Sequence, residues 1–280
     1  MRTALAVDIG GTKVAAGIVT EHGELLRSAS APTPGAGLFD RVLDVIDEVR
    51  RAGDEQPEVC GAGCGGPMTA GGEQVSPLNI EQWRGFELRR ALAEATGLET
   101  FVENDAKALA LGEGWVGAAA GVDDFLAMVV STGVGGGIVL DGRLLDGAAG
   151  NAGHIGHVIV VPDGRDCACG ARGCLEAEAS GTALAARTGR PPADAGAALR
   201  AETGRLVGRA VASVANLLDL RLAVVAGSVA LGFGDAFFDA AQAELDRSAR
   251  LDFSRGARIV PGGLGPSGPL VGAAAVGLRR

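Results

Sequence analysis

One histidine and three cysteines stand close together in this chain: His157, then Cys167, Cys169 and Cys174. The thiols fall as Cys-x-Cys-x4-Cys, with Gly170 and Gly173 between the last two. An imidazole and three thiolates make a complete tetrahedral set for a structural zinc ion. The spacing departs from the usual two-residue thiol pair, but the two glycines supply the tight turn such a cluster needs. The competing reading is three inert core thiols, since a free cysteine packs as a small hydrophobe. Core thiols seldom sit in a loop of Gly, Arg and Asp, so zinc is the favoured reading. Cys60 and Cys64 flank a glycine-rich run and read as packed core.

A second chemistry is carried by glycine turns and carboxylates. A short apolar run ends in Asp8-Ile9-Gly10-Gly11-Thr12-Lys13, after which an apolar run resumes. Gly10 and Gly11 let backbone N–H groups approach an anion, and the Thr12 hydroxyl adds a donor. Asp8, at the strand end, could hold Mg²⁺ through water. The glycines lead into another strand rather than a helix, so this is not a dinucleotide fingerprint, and the Gly-Lys-Ser/Thr of a Walker loop is missing. Farther on, Glu103-Asn104-Asp105 stand where a short strand meets an alanine-rich helix. One such residue suffices to cap a helix. Three in succession at a strand's carboxyl end favour a ligand site.

The elements around these groups alternate between strand and helix periodicity. Leu25 starts a strand, Phe39 to Arg51 has one apolar helical face, and Val59 to Gly66 is a strand entering a Gly-Gly-Pro loop. Glu87 to Thr96 is a helix stopped by Gly97, Thr100 to Val102 a strand, and Ala106 to Gly112 a helix. Phe125 to Val130 is a strand that runs into Ser131-Thr132-Gly133-Val134-Gly135-Gly136-Gly137, resumes at Ile138 and turns at Asp141-Gly142. Helices follow at Ala183 to Arg187 and Leu199 to Leu218, then a strand from Leu222 to Ala226, a helix from Asp235 to Ala249, a strand at Ile259–Val260 and a helix from Leu270 to Leu278. The stretch LAVDIGGTKVAAGIVTEHGELL is echoed by LAMVVSTGVGGGIVLDGRLL about 120 residues later. The repeat is too widely spaced for a solenoid. Two facing copies of such a hairpin could clasp a polyphosphate between two lobes.

The chain has 280 residues, of which 47% are hydrophobic and 21% charged, enough for one large or two medium domains. Its 46 glycines imply many tight turns and close approaches of backbone to ligand. A net charge of −9 disfavours nucleic acid and anionic membranes as partners. No apolar run is long enough to span a bilayer or to form a signal-peptide core, so a cytoplasmic protein is expected.

With these motifs in hand, the chain resembles the ROK family of bacterial sugar kinases and regulators. The resemblance rests on Asp8-x-Gly-Gly-Thr-Lys13, Glu103-Asn-Asp-Ala106, Ser131-Thr-Gly-Val-Gly-Gly136, Ala152-Gly-His-Ile-Gly-His157, the cysteine cluster through Glu176, and Gly227-Ser228. It implies an α/β chain with the actin-like ATPase, ribonuclease H-like fold: two lobes around a central cleft. Residues 1–115 with 266–280 would form the first lobe and 116–265 the larger second lobe with the zinc loop. It implies an ATP-dependent hexose kinase acting at the 6-hydroxyl, with structural Zn²⁺ and with Mg²⁺ accompanying ATP. Asp105 would be the general base. Sugar contacts would come from Asn79, Asn104, Asp105, His154, His157 and Glu176. Asp8, Gly10, Gly11, Thr12, Lys13, Thr132, Gly133 and Gly227 would hold the nucleotide, and His157, Cys167, Cys169 and Cys174 the zinc. Partners would be sugar and ATP, with assembly as a homodimer or homotetramer.

One departure bears on substrate choice. Many members carry Glu where this chain has His154, and a histidine there resembles N-acetylmannosamine kinases. Histidine offers one bond per ring nitrogen and cannot act as a bidentate acceptor. An N-acylhexosamine substrate therefore stands beside glucose. A different class, the family's non-catalytic sugar-binding regulators, carries a DNA-binding domain before the first lobe. A first strand beginning at Leu5 and the negative net charge point away from it.

Overall fold

The computed structural model describes residues 1–279. Its strands are β1 (Thr3–Ile9), β2 (Lys13–Thr20), β3 (Leu25–Pro32), β4 (Val59–Cys64), β5 (Glu99–Asn104), β6 (Phe125–Val130), β7 (Val134–Leu140), β8 (Arg143–Leu144), β9 (Leu222–Ala226) and β10 (Arg258–Pro261). Its helices are α1 (Leu38–Arg51), α2 (Leu88–Thr96), α3 (Asp105–Val116), α4 (Leu175–Ala179), α5 (Gly181–Thr188), α6 (Ala197–Leu218), α7 (Ser228–Phe233), α8 (Asp235–Ser248) and α9 (Gly268–Leu278). The chain forms two compact units. One comprises Met1–Gly121, Leu144–Ala152 and the chain from Gly263 on; the other comprises Val122–Arg143 and Gly153–Gly262.

The first unit is built on a five-stranded sheet of order β3-β2-β1-β4-β5. Side chains alternate across a strand, so β1 presents two different faces. Leu5, Val7 and Ile9 pack with Leu38, Val42, Val45, Ile46 and Val49 of α1 and Leu88 and Leu92 of α2. Ala4 and Ala6 on the opposite face pack with Leu270, Ala273 and Ala274 of α9. The alternation of large and small side chains sets how near each layer comes. At β4 the approach is closest: a Cβ on Gly61 would lie 2.0 Å from the Ala273 carbonyl oxygen. Gly61 thus serves helix-to-sheet contact rather than approach to a ligand.

The second unit has a five-stranded sheet of order β10-β9-β6-β7-β8. β6 pairs antiparallel with β7 and parallel with β9, as β1 pairs antiparallel with β2 and parallel with β4. The repeated hairpin in the sequence is therefore the start of two sheets of like topology. One detail differs from the sequence reading. Gly135, Gly136 and Gly137 pair with Val129, Met128 and Ala127, so they belong to β7, and the turn is only Ser131–Gly133. The Asp141-Gly142 turn has φ of 51° and 71°, the left-handed pair a tight hairpin demands.

Candidate active site

In the first unit the glycine turn, Asp8 and the Glu103–Asp105 stretch lie at neighbouring strand ends. Asp8 is opposite Gly63 on β4, and Gly63 is opposite Glu103 on β5. Gly10 donates its N–H to the Lys13 carbonyl at 2.9 Å, closing the turn, and Thr33 Oγ1 donates to the Gly10 carbonyl at 2.7 Å. Asn79 lies against the turn: a Cβ on Gly11 would come within 2.6 Å of its Nδ2. Thr12 and Lys13 are exposed. Asp8 is half-buried, and desolvation raises its pKa to about 7, with the charge of Asp105 adding to the rise and Lys13 opposing it.

The three polar residues before α3 divide their work. Asn104 caps the helix, its side-chain oxygen accepting from the Ala106 and Lys107 N–H groups at 3.1 and 3.3 Å. Glu103 accepts the Asn104 N–H at 2.9 Å and pairs with Lys107 Nζ at 3.2 Å. Asp105, with one carboxylate oxygen on the Ala106 N–H at 2.8 Å, is the exposed member of the three.

Lys107 is the residue sequence reasoning overlooks. It is 1% exposed, and its ammonium also reaches Asp146 Oδ1 at 3.0 Å and the Gly150 carbonyl at 3.1 Å. Its signal in the sequence is a lone lysine among Ala106, Ala108, Leu109 and Ala110, one helical turn after Glu103. Asn151 adds a second tie, with its side chain bonded to both the N–H and the carbonyl of Met68. Glu113, fully buried, is likewise overlooked. Its carboxylate accepts from the N–H groups of Ala118, Gly263 and Leu264.

In the second unit, Cys167 Sγ lies 3.7 Å from His157 Nδ1, and Cys169 Sγ lies 3.7 Å from Cys174 Sγ. The four ligand atoms all fall within 4.8 Å of one another. Zinc–sulfur bonds of about 2.3 Å at tetrahedral angles put sulfurs about 3.8 Å apart, so this donor set fits a zinc ion. The nearby His154 ring is stacked on His157, with centroids 6.2 Å apart, and is exposed. Glu178, two residues beyond Glu176 and buried, holds both the N–H and the guanidinium of Arg165 at the base of the loop.

The turn Ser131–Gly133 is held by Ser131 N–H on the Gly133 carbonyl at 2.9 Å. Ser131 Oγ meets Ser228 Oγ at 2.9 Å, which places the two loops side by side. Between β9 and α7, Gly227 has φ of 100°, and a Cβ there would lie 2.4 Å from the Val130 carbonyl oxygen. Both facts require glycine at this position. Glu176 is half-buried and touches the same turn, accepting the Val134 N–H at 2.9 Å. Among the described residues, no helix is long and apolar enough to cross a membrane.

Comparison with known proteins places this geometry. The chain is 36% identical to an N-acetylmannosamine kinase of Yersinia pseudotuberculosis over 84% of its own length and 86% of the relative's. It is 41% identical to a glucokinase of Thermotoga maritima over 64% of its own length, a match spanning 58% of that relative. A ROK family glucokinase from Streptomyces griseus, solved with glucose and AMPPNP, superimposes with a TM-score of 0.88 at 31% identity, covering 99% of this chain and 100% of that one. The two like sheets are those of the actin-like ATPase fold. The ROK family model matches residues 4–280, and the chain is a member of that family.

Proposed function

We propose that this protein is an ATP-dependent sugar kinase with Asp105 as its general base. The observation that carries the reading is the division of labour before α3. Glu103 is taken by Lys107 and Asn104 by the helix cap, while Asp105 is presented on the surface. A sugar hydroxyl is a poor nucleophile at neutral pH. A carboxylate in hydrogen-bond reach can take its proton as the bond to phosphorus forms. The remaining work of phosphoryl transfer is positioning and charge neutralisation.

In this reading Asn79, Asn104, Asp105, His154, His157 and Glu176 bind the sugar. Asp8, Gly10, Gly11, Thr12, Lys13, Thr132, Gly133 and Gly227 hold the nucleotide. Asp8 would hold Mg²⁺ through water, and the ion supplies charge neutralisation on the phosphates. The cluster of His157, Cys167, Cys169 and Cys174 would hold zinc as a structural ion. His157 turns Nδ1 toward Cys167, which directs Nε2 to a sugar hydroxyl and fixes the tautomer.

The substrate is a hexose phosphorylated at the 6-hydroxyl or an N-acylhexosamine. His154 favours the second, being exposed beside His157 where a carboxylate would offer a bidentate acceptor. Relatives of both kinds occur, one a glucokinase and one an N-acetylmannosamine kinase. An ADP-release assay over glucose, mannose, N-acetylglucosamine and N-acetylmannosamine tests the proposal. Turnover of none of the four defeats the kinase reading, and a clear preference for glucose defeats the inference from His154.

A further inference from the structure

Glu176 carries an attachment that neither metal ligation nor sugar contact requires. It lies in the first turn of α4, which begins directly after the metal-cluster residue Cys174. Its Oε2 accepts the N–H of Val134, the first residue of β7, at 2.9 Å. A Cβ on Gly133 would come within 2.8 Å of the same oxygen, so the carboxylate is seated directly under the Ser131–Gly133 turn. The next ties to that turn come from the same short stretch of chain. Gly181 donates its N–H to the Ser131 carbonyl at 2.7 Å, and Thr182 donates both its N–H and its hydroxyl to the Thr132 carbonyl at 3.2 and 2.9 Å. The stretch from Glu176 to Thr182 therefore carries most of what fixes the turn from outside, and its beginning is set by Cys174, fully buried.

We propose that the His157, Cys167, Cys169 and Cys174 cluster and the Ser131–Gly133 turn are thermodynamically coupled through Glu176, so that a metal in the cluster tightens nucleotide binding. A bound metal fixes Cys174 and hence the first turn of α4. That holds the Glu176 carboxylate under Val134, and the turn stays in one conformation for the phosphates. Without the metal, the nucleotide must order the α4 start and the turn itself, which weakens its binding. Linkage makes the effect reciprocal: the nucleotide must raise metal affinity by the same factor. Glu176 is in this respect a positioning residue, acting on the nucleotide through the backbone of the turn. The inference rests on the reading of Ser131–Gly133 as a phosphate-binding turn.

The test uses AMPPNP with Mg²⁺ as the nucleotide and Zn²⁺ as the metal. AMPPNP affinity is measured by calorimetry on zinc-loaded and zinc-stripped protein. Zn²⁺ affinity is measured with and without AMPPNP by competition with a chromophoric zinc chelator, which requires no isolated metal-free protein. Coupling of about tenfold is expected in both directions, within the usual range for linked sites. Glu176→Gln keeps an oxygen for the Val134 N–H and should keep most of the coupling. Glu176→Ala should bind zinc yet lose the coupling. Gly133→Ala approaches the contact from the other side. Its methyl would displace the carboxylate while leaving Glu176 in place, so it should also lose the coupling, and it serves if Glu176→Ala fails to fold.

Equal Zn²⁺ affinity with and without AMPPNP in the wild type overturns the proposal. So does a tenfold coupling that survives in Gly133→Ala or Glu176→Ala, because a merely structural Glu176 would lower stability and leave the ratio unchanged. If zinc-loaded wild type binds no AMPPNP at all, the nucleotide reading of the turn falls and this inference falls with it. That result is distinct from tight AMPPNP binding that ignores the metal, which overturns the coupling alone.

Discussion

Lys107 and Glu103 form an ion pair of 3.2 Å one helical turn apart, with the lysine almost wholly removed from water. Glu103 in turn accepts the N–H of Asn104, so the pair stands directly behind the residue that caps α3 and the one that opens it. Removing one partner of a buried pair leaves the other charge uncompensated, at a cost of about 3–5 kcal/mol. Lys107→Met should therefore lower the unfolding free energy by about 3 kcal/mol or more. Adding Glu103→Gln should restore part of it, because the stranded carboxylate is gone. Urea unfolding of the two variants measures this, and a loss below about 0.5 kcal/mol in Lys107→Met would show that the ammonium contributes little.

Asp105→Asn preserves shape and would remove the proposed acceptor for the sugar proton. The rate of turnover should drop by about 10²–10⁴-fold, with sugar affinity held within a few-fold. Steady-state kinetics beside calorimetric sugar binding separates the two effects. Near-normal turnover in this variant would assign the base elsewhere.

Asp8 makes stability depend on pH. Its pKa, raised to about 7 by burial and by the neighbouring Asp105 charge, exceeds the ordinary value of 3.8. Between those values the folded protein holds a proton that the unfolded chain has released. Stability is accordingly lost as pH rises through this window, and the full penalty applies above about 7. Asp8→Asn removes the charge and should be more stable than wild type at pH 8, by an amount on the order of a few kcal/mol. The difference should shrink as pH falls and be absent near pH 4. Thermal melts at several pH values provide the check, and a gain that does not change with pH would contradict it.

Purified protein should contain about one zinc ion per chain by elemental analysis. Cys174→Ser, at a fully buried ligand, should lower metal content, melting temperature and sugar affinity together. Loss of metal with sugar affinity unchanged would confine the cluster to a structural role remote from the substrate.

Much of the architecture could be read in the sequence because its signals are local. The hairpin that recurs at β1–β2 and β6–β7 announces two sheets of like topology, and the single apolar face of α1 places it on its sheet. The Cys-x-Cys-x4-Cys spacing likewise foretells the clustered thiols. What escapes notice depends on partners far along the chain. The run Gly135–Gly137 resembles a loop by composition, and only its pairing with β6 makes it strand. Glu103 resembles a surplus ligand-binding carboxylate because nothing nearby in sequence shows that Lys107 is buried. Its other partners, Asp146 and Gly150, stand about forty residues on. Leu144–Ala152 carries no mark of belonging with the first unit, since its ties run through Lys107 and Asn151.

The close fit of α9 against β1 and β4 has a consequence for biosynthesis. The strands of the first sheet leave the ribosome early, but the helix that covers their alanine face follows only after every strand of the second sheet. Domains tend to fold as units while the chain is being made. The second unit can complete its sheet first, whereas the first unit must wait with Ala4, Ala6, Ala15, Val19 and Val59 uncovered. Nascent chains stalled before Gly268 would display that open face, and the unit begun first would be the one finished last.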